Sequence, residues 1–160
     1  MHFLLKKEKK KKKNYFKDRP DTILETFNLK DFCKLNKIKY VKMNGWDIDE
    51  VSKFLLKGKS SHKKVYLNCI SKIIPQKFIE KNIILNTHPG ILPLCRGVDS
   101  FKWSIIKKYP IGVTLHVIDK HIDCGVILKR SLVPVVIGDN LTDIANRSFE
   151  LECFLLSNFE

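Results

Sequence analysis

Residues 83–93 read IILNTHPGILP, an apolar run that leads directly into an amide, an imidazole and a turn of proline and glycine. The apolar run Ile83–Leu85 predicts a buried strand. Asn86 and His88 stand two residues apart, so on a strand their side chains point to the same face. Polar side chains at the end of a buried strand are typical of sites in α/β proteins. The stretch therefore predicts an α/β fold with polar groups gathered at one end of a sheet.

Helical and extended patterns alternate on both sides of this strand. Helical spacing predicts helices over 21–36, 46–57, 75–80, 99–109 and 140–155. For the first, the alternative is that Asn28 caps a second helical piece. Extended structure is predicted over 37–43, 65–70, 83–86, 112–118 and 126–136. Strands alternating with helices are typical of a parallel sheet with crossover helices. We therefore predict a mostly parallel central sheet that is flanked by helices.

The positive charge of the chain is concentrated at its start. Residues 1–20 contain nine basic and two acidic residues, so they carry seven of the thirteen net positive charges. A run such as Lys9–Lys13 repels itself and has no apolar face. We predict a disordered Lys-rich tail over 1–20 and one domain over 21–160, because 160 residues suffice for a single core. A salt-sensitive contact of the tail with nucleic acid or an anionic surface is the alternative.

The five cysteines are widely spaced, odd in number and without a Cys-x-x-Cys pair. This pattern argues against a disulfide framework and a structural zinc site, and it favours a reducing compartment. The apolar start MHFLL is too short for a secretory signal, and no apolar run approaches the length of a membrane span. We predict a cytoplasmic protein without a metal site.

The amide and the imidazole suit a developing oxyanion and a proton transfer. No Gly-x-Ser-x-Gly sequence accompanies them, which favours direct attack by a substrate amine over an acyl-enzyme. Asp123 is the carboxylate best placed to support the imidazole, ahead of Asp119 and Asp99. Taken singly, His88 is more often structural, Asn86 a strand-end cap and Asp123 a turn former. His116 and His121 are expected to be structural or solvent-facing, and Trp103 to lie in the core.

Several segments together resemble the folate-dependent formyltransferase family, which includes glycinamide ribonucleotide, methionyl-tRNA and sugar N-formyltransferases. The signature Asn-x-His-Pro-x-x-Leu-Pro begins at Asn86, and Asp-x-Gly follows at Asp123, 35 residues after His88. Arg96-Gly97, Trp103 and Gly112–Thr114 agree in order and spacing. The resemblance covers about residues 60–150, with a looser match from Leu29 to Leu56.

The resemblance implies a Rossmann-like fold and an enzyme that moves the formyl group of 10-formyltetrahydrofolate directly to a primary amine. Asn86, His88 and Asp123 would be the catalytic residues: the first two stabilise an oxyanion, and Asp123 orients His88 and helps to move the proton. The formyl donor would lie along the loop of Val117, Ile118, Asp119, Lys120, His121 and Ile122. The acceptor side would be shaped by Pro89, Gly90, Arg96 and Gly97.

The resemblance also has gaps. The family's domain begins with a strand, a helix and a second strand, and this chain has the Lys-rich residues 1–20 in their place. We therefore expect a partial catalytic domain over 21–160 that lacks the family's first strands, completed by oligomerisation or left as an inactive relative with a basic tail. Because the sequence ends at Glu160, we expect the added domain of methionyl-tRNA formyltransferase to be absent, which leaves that enzyme as the second alternative. A small acceptor, an amino sugar nucleotide or glycinamide ribonucleotide, is favoured, but the sequence does not identify it.

Overall fold

The computed structural model describes residues 2–3, 28–42, 50–51, 53–54, 64–69 and 73–159. The chain divides into two compact units, the first formed by residues 1–17 and 21–58 and the second by residues 18–20 and 59–160. The division falls inside the single domain predicted over 21–160. The prediction of one domain over 21–160 stays a prediction.

The first unit contains a two-stranded parallel sheet and a short helix. Strand β1, His2–Phe3, pairs with strand β2, Lys39–Tyr40. Helix α1, Leu29–Leu35, begins after Asn28, whose side chain accepts hydrogen bonds from the backbone N–H groups of Lys30 and Asp31. Such a cap satisfies donors that have no partner within the helix. The predicted cap at Asn28 is confirmed, and residues 21–27 lie outside the described part of the chain.

Two further predictions concern this unit. Residues 50–51 and 53–54 are helical, within the helix predicted over 46–57. His2–Phe3 form a strand inside the range predicted as a disordered tail. These two residues precede the lysine run on which that prediction was based, and the remaining residues of 1–20 lie outside the described part of the chain.

The second unit contains a four-stranded sheet and three helices. The strands are β3, Val65–Asn68, β4, Ile83–His88, β5, Gly112–Val117, and β6, Ile127–Leu132, and they lie in the order β3-β4-β5-β6. The helices are α2, Gln76–Ile79, α3, Ser100–Ile106, and α4, Leu141–Ser157. The predicted α/β class is confirmed, with each of these elements at its predicted place.

The sheet of the second unit is mixed rather than mostly parallel. Strands β3 and β4 are parallel, whereas β4 and β5, and likewise β5 and β6, are antiparallel. The connection between β5 and β6 spans only 118–126, and a connection of this length joins antiparallel neighbours, because parallel neighbours need a longer crossover. The alternation of helix and strand indicates the class of fold but not the direction of each strand.

The core of this unit lies between the sheet and α4. Leu85, Val113 and Leu115 of the central strands form one buried cluster with Ile144 and Leu155 of α4. Asn140 caps α4 in a reciprocal capping box with Asp143, at the start of the helix predicted over 140–155. Because side chains alternate along a strand, the other face of β4 and β5, here called the site face, carries Asn86, His88, Thr114 and His116.

A partly buried carboxyl group lies on the α4 side of β4. The Oγ1 of Thr87 donates a hydrogen bond of 3.3 Å to Oε2 of Glu152. Burial raises the pKa of Glu152 to about 7, and the Thr87 hydrogen bond opposes the rise only in part. Removal from water penalises the charged form, so this carboxyl holds its proton to a higher pH than an exposed glutamate does.

We expect Glu152→Gln to make stability less dependent on pH. The folded pKa of about 7 exceeds the ordinary value of 4.5, so the stability that the protonated group contributes is lost as pH rises between these values. The loss amounts to roughly 3 kcal/mol, and a neutral glutamine does not undergo it. Urea unfolding at pH 5 and pH 8 should show the variant gaining stability over the wild type only at pH 8. Glu150→Gln, on the exposed surface of the same helix, is the matched control. If the free energy of unfolding depended equally on pH in the wild type and in Glu152→Gln, the prediction would be contradicted.

Candidate active site

The paired strands β4 and β5 bring four polar side chains together on the site face. In the antiparallel register Asn86 lies opposite His116, and His88 lies opposite Thr114. Residues directly opposite each other have Cβ atoms about 5 Å apart, so their side chains meet. His88, Thr114 and His116 are buried and Asn86 is half-buried. Asn86 is therefore the member of the group that retains partial access to solvent.

His88 and Asp123 lie side by side in the site. The Nδ1 of His88 lies 3.5 Å from Oδ2 of Asp123, and its Nε2 lies 2.9 Å from the carbonyl oxygen of Cys95. A carbonyl oxygen can only accept, so Nε2 carries a hydrogen and Nδ1 is the position that faces the carboxylate. A proton on Nδ1 is then shared with Asp123, which makes the pair suited to proton transfer.

Asp123 reaches His88 because of an unusual backbone conformation. Its φ is +51°, in the left-handed region that aspartate tolerates better than most residues. The backbone N–H of Gly97 donates a 2.8 Å hydrogen bond to Oδ2 of Asp123. At Gly125 an added Cβ would lie 1.8 Å from the carbonyl oxygen of Val117, so the turn admits only glycine. The Asp-x-Gly sequence thus shapes the turn that places the carboxylate.

The loop after β4 closes over the ring of His88. An added Cβ at Gly90 would lie 2.9 Å from the Nε2 of His88. The Oγ1 of Thr114 donates to the carbonyl of Gly90, and Ser100 Oγ donates to the carbonyl of Pro89. Of the four residues predicted on the acceptor side, Gly90 and Gly97 thus lie beside the His88–Asp123 pair. Pro89 is half-buried and Arg96 is exposed.

The loop predicted to hold the formyl donor connects the end of β5 to Asp123. The backbone N–H of Ile118 donates to the carbonyl of Ile84, which ties the start of the loop to β4. Asp119 Oδ1 accepts from the backbone N–H of His121, and Lys120, His121 and Ile122 are exposed. Val117–Ile122 therefore run along the edge of the candidate site, and their binding role stays a prediction.

His116 is structural rather than solvent-facing, which agrees with the first of the two expectations for it, and it lies within the candidate site. It is 2% exposed, its Nε2 lies 3.1 Å from Nδ2 of Asn86, and it is 3.9 Å from Oδ1 of Asp123. Burial lowers the pKa of His116, although its backbone hydrogen bond and Asp123 act in the opposite direction. Alternation along 112–118 assigns the side chain of His116 to one face of its strand. It does not predict that His116 lies opposite Asn86, because that register is fixed only when the two strands pair.

Asn68 also belongs to the site, and sequence reasoning did not single it out. It lies opposite Asn86 in the parallel register of β3 and β4, and its Nδ2 donates a 2.8 Å hydrogen bond to Oδ1 of Asn86.

Trp103 does not belong to the core, where it was expected, because 49% of its surface is exposed on α3. The spacing of apolar residues in α3 did not reveal which side of the helix faces solvent.

No group of three or more His, Cys, Asp or Glu side chains in the described part of the chain could hold a metal ion. All five cysteines are free thiols. Among the described residues, no helix has the length and apolar character that crossing a membrane requires.

Comparison with known proteins gives a consistent family assignment. The family model described as formyl transferase matches residues 52–158. A trifunctional purine biosynthetic protein from Gallus gallus is 32% identical over 55% of this chain and 9% of its own length. Phosphoribosylglycinamide formyltransferase from Haemophilus influenzae is 28% identical over 54% of this chain and 41% of its own length. Methionyl-tRNA formyltransferase from Thermodesulfovibrio yellowstonii is 32% identical over 48% of this chain and 26% of its own length.

Solved structures share the fold. Phosphoribosylglycinamide formyltransferase from Anaplasma phagocytophilum, at 26% identity, superposes with a TM-score of 0.61 over 75% of this chain and 60% of its own. A formyltransferase from Anoxybacillus kamchatkensis, in complex with UDP-4,6-dideoxy-4-formamido-L-AltNAc and tetrahydrofolate, has a TM-score of 0.56 at 23% identity, over 82% of this chain and 68% of its own. This chain spans less than half the length of the curated relatives named above. Because the family model matches more than half of its residues, the chain belongs to the formyl transferase family.

Proposed function

We propose that this chain transfers the formyl group of 10-formyltetrahydrofolate to the primary amine of a small acceptor, an amino sugar nucleotide or glycinamide ribonucleotide. The observation that carries the proposal is the convergence of Asn86 with the His88–Asp123 pair on one face of the sheet. Membership of the formyl transferase family supplies the reaction class.

The proposed chemistry is a direct transfer through a tetrahedral intermediate. The amine nitrogen attacks the formyl carbon, a new C–N bond forms, and the carbonyl oxygen becomes an oxyanion. An N–H of Asn86 donates to that oxygen, and a protonated His88 stabilises its charge. Asp123 takes a proton from the attacking nitrogen, directly or through water. When the intermediate collapses, the bond from the formyl carbon to the donor nitrogen breaks, and that nitrogen takes up a proton to leave tetrahydrofolate.

The donor is assigned to the loop Val117–Ile122. This loop is continuous with Asp123, so a formyl group bound along it would reach the trio of polar residues. The relative solved in complex with tetrahydrofolate supports the choice of a folate for this role. Pro89, Gly90, Arg96 and Gly97 would face the acceptor from the other side of the His88–Asp123 pair.

The acceptor is the least constrained part of the proposal. A glycinamide ribonucleotide enzyme and a methionyl-tRNA enzyme match at similar identities, 28% and 32%. The small-molecule acceptor is favoured by the structural similarity to the Anaplasma enzyme, which extends over three quarters of this chain.

The proposal is tested by release of tetrahydrofolate from 10-formyltetrahydrofolate in the presence of candidate amines. The full-length chain would be assayed with glycinamide ribonucleotide, with an amino sugar nucleotide and with methionyl-tRNA, each against a reaction without acceptor. We expect acceptor-dependent turnover with one of the two small molecules. Turnover with methionyl-tRNA alone would overturn the acceptor class. A chain that unfolds cooperatively but transfers formyl to none of the three would overturn the function.

A further inference from the structure

The carboxamide of Asn86 is held from both sides by side chains of neighbouring strands. Asn68 on β3 and His116 on β5 lie directly opposite Asn86 on β4, one in each register. The distances are 2.8 Å from Asn68 Nδ2 to Asn86 Oδ1, and 3.1 Å from Asn86 Nδ2 to His116 Nε2. One amide is thus fixed at both its oxygen and its nitrogen.

The hydrogen bonds define which end of the amide points in which direction. The Nδ2 of Asn68 can only donate, so it faces the oxygen of Asn86, and the nitrogen of Asn86 faces His116. His116 Nε2 must then accept, which places the ring hydrogen on Nδ1, where the carbonyl of Val117 lies 3.1 Å away. Burial lowers the pKa of His116, in keeping with a neutral ring. The three side chains therefore share one consistent pattern of donors and acceptors.

The opposite amide orientation would lose both contacts. If the carboxamide of Asn86 rotated by half a turn, two NH₂ groups would face each other at Asn68, and two acceptors would face each other at His116. In the observed orientation one N–H of Asn86 is used by His116. The second N–H has no acceptor among the described residues. Asn86 is half-buried, so solvent or a ligand can reach its side chain.

We propose that Asn68 and His116 are positioning residues that hold the Asn86 carboxamide in the orientation in which its second N–H is available to the formyl oxygen. The inference rests on the proposed formyl transfer for its consequence in catalysis. The orientation of the amide itself is independent of any substrate. Neither residue needs to touch the donor or the acceptor, because each acts through Asn86.

Asn68→Asp tests the oxygen side of this arrangement. A carboxylate of almost the same shape cannot donate to Asn86 Oδ1 but can accept from Nδ2, so it favours the opposite amide orientation. We expect kcat for formyl transfer to fall about tenfold or more with little change in KM, because an oxyanion donor is misdirected. Asn158→Asp, the same change at an exposed position after α4, is the matched control and should retain wild-type kcat. A well-folded Asn68→Asp chain with wild-type kcat would overturn the inference.

A pair of substitutions at His116 tests the nitrogen side. His116→Gln can still place an acceptor near Asn86 Nδ2, whereas His116→Leu cannot. We expect the glutamine variant to keep most of the wild-type kcat and the leucine variant to lose about tenfold or more. Equal losses in the two variants would show that His116 contributes shape rather than a hydrogen-bond acceptor, and this would overturn its positioning role.

Nitrogen-15 NMR of the His116 ring separates this inference from the proposed function. The wild-type ring is expected to be neutral with its hydrogen on Nδ1, and Asn68→Asp is expected to move a hydrogen onto Nε2, since Asn86 then presents its oxygen. If the wild-type chain transfers no formyl group, the proposed function fails, and the position of the ring hydrogen alone decides whether the amide is held as described. A hydrogen on Nε2 in the wild type would overturn the inference whatever the activity.

Discussion

Asn86→Asp is expected to lower kcat for formyl transfer by about 10²- to 10³-fold, the loss typical of removing one oxyanion donor. A carboxylate has no N–H to offer the developing oxyanion, and its negative charge would face the oxygen on which negative charge accumulates. The substitution preserves the shape of the side chain and can still accept from Asn68 Nδ2. The carboxylate also sets an acceptor against Nε2 of His116, so thermal unfolding is measured beside kcat to separate a change in stability from a loss of transition-state stabilisation.

The measurement is steady-state kinetics with the acceptor that the wild type uses, together with thermal unfolding of both chains. We expect KM for the formyl donor to change far less than kcat, because the lost interaction is made mainly in the transition state. Asn158→Asp again supplies a remote change of the same kind. If Asn86→Asp retained kcat within about threefold of wild type, the amide could not be an oxyanion donor.

Local features of the fold could be predicted from the sequence because their causes are local. Asn28 and Asn140 cap helices through hydrogen bonds that span two or three residues, so a few positions suffice to recognise them. The strand that carries Asn86 and His88 was predicted from three apolar residues. It extends to His88 rather than ending at Asn86.

Contacts between distant segments could not be predicted in this way. Asn68 and Asn86 are 18 residues apart, and Asn86 and His116 are 30 apart. They meet only because β3, β4 and β5 pair in one particular register, which the spacing of each strand does not contain. The proximity of His88 and Asp123 was predicted from the family signature, since a resemblance carries long-range geometry that periodicity lacks.

His88 and Asp123 are expected to act as one unit. General acid–base groups of this kind typically contribute about 10²- to 10⁴-fold to the rate. We expect His88→Ala to lower kcat within that range and Asp123→Asn to do the same. Asp123→Asn keeps an oxygen that can accept from the backbone N–H of Gly97, so it removes the charge while preserving the turn. The double variant is expected to be about as slow as the slower single variant.

The physical reason is that each member of the pair is useful only through the other. The Nδ1 of His88 faces the carboxylate at 3.5 Å, and both groups are shielded from bulk water, with the His88 side chain 5% and the Asp123 side chain 14% exposed. Without Asp123 a proton on Nδ1 of His88 has no carboxylate beside it, and without His88 the carboxylate has no imidazole with which to share a proton. The measurement is a double-mutant cycle in kcat, with Asp31→Asn on the exposed surface of α1 as the charge-matched control. Losses that simply multiply in the double variant would show two independent groups and would contradict the shared-proton arrangement.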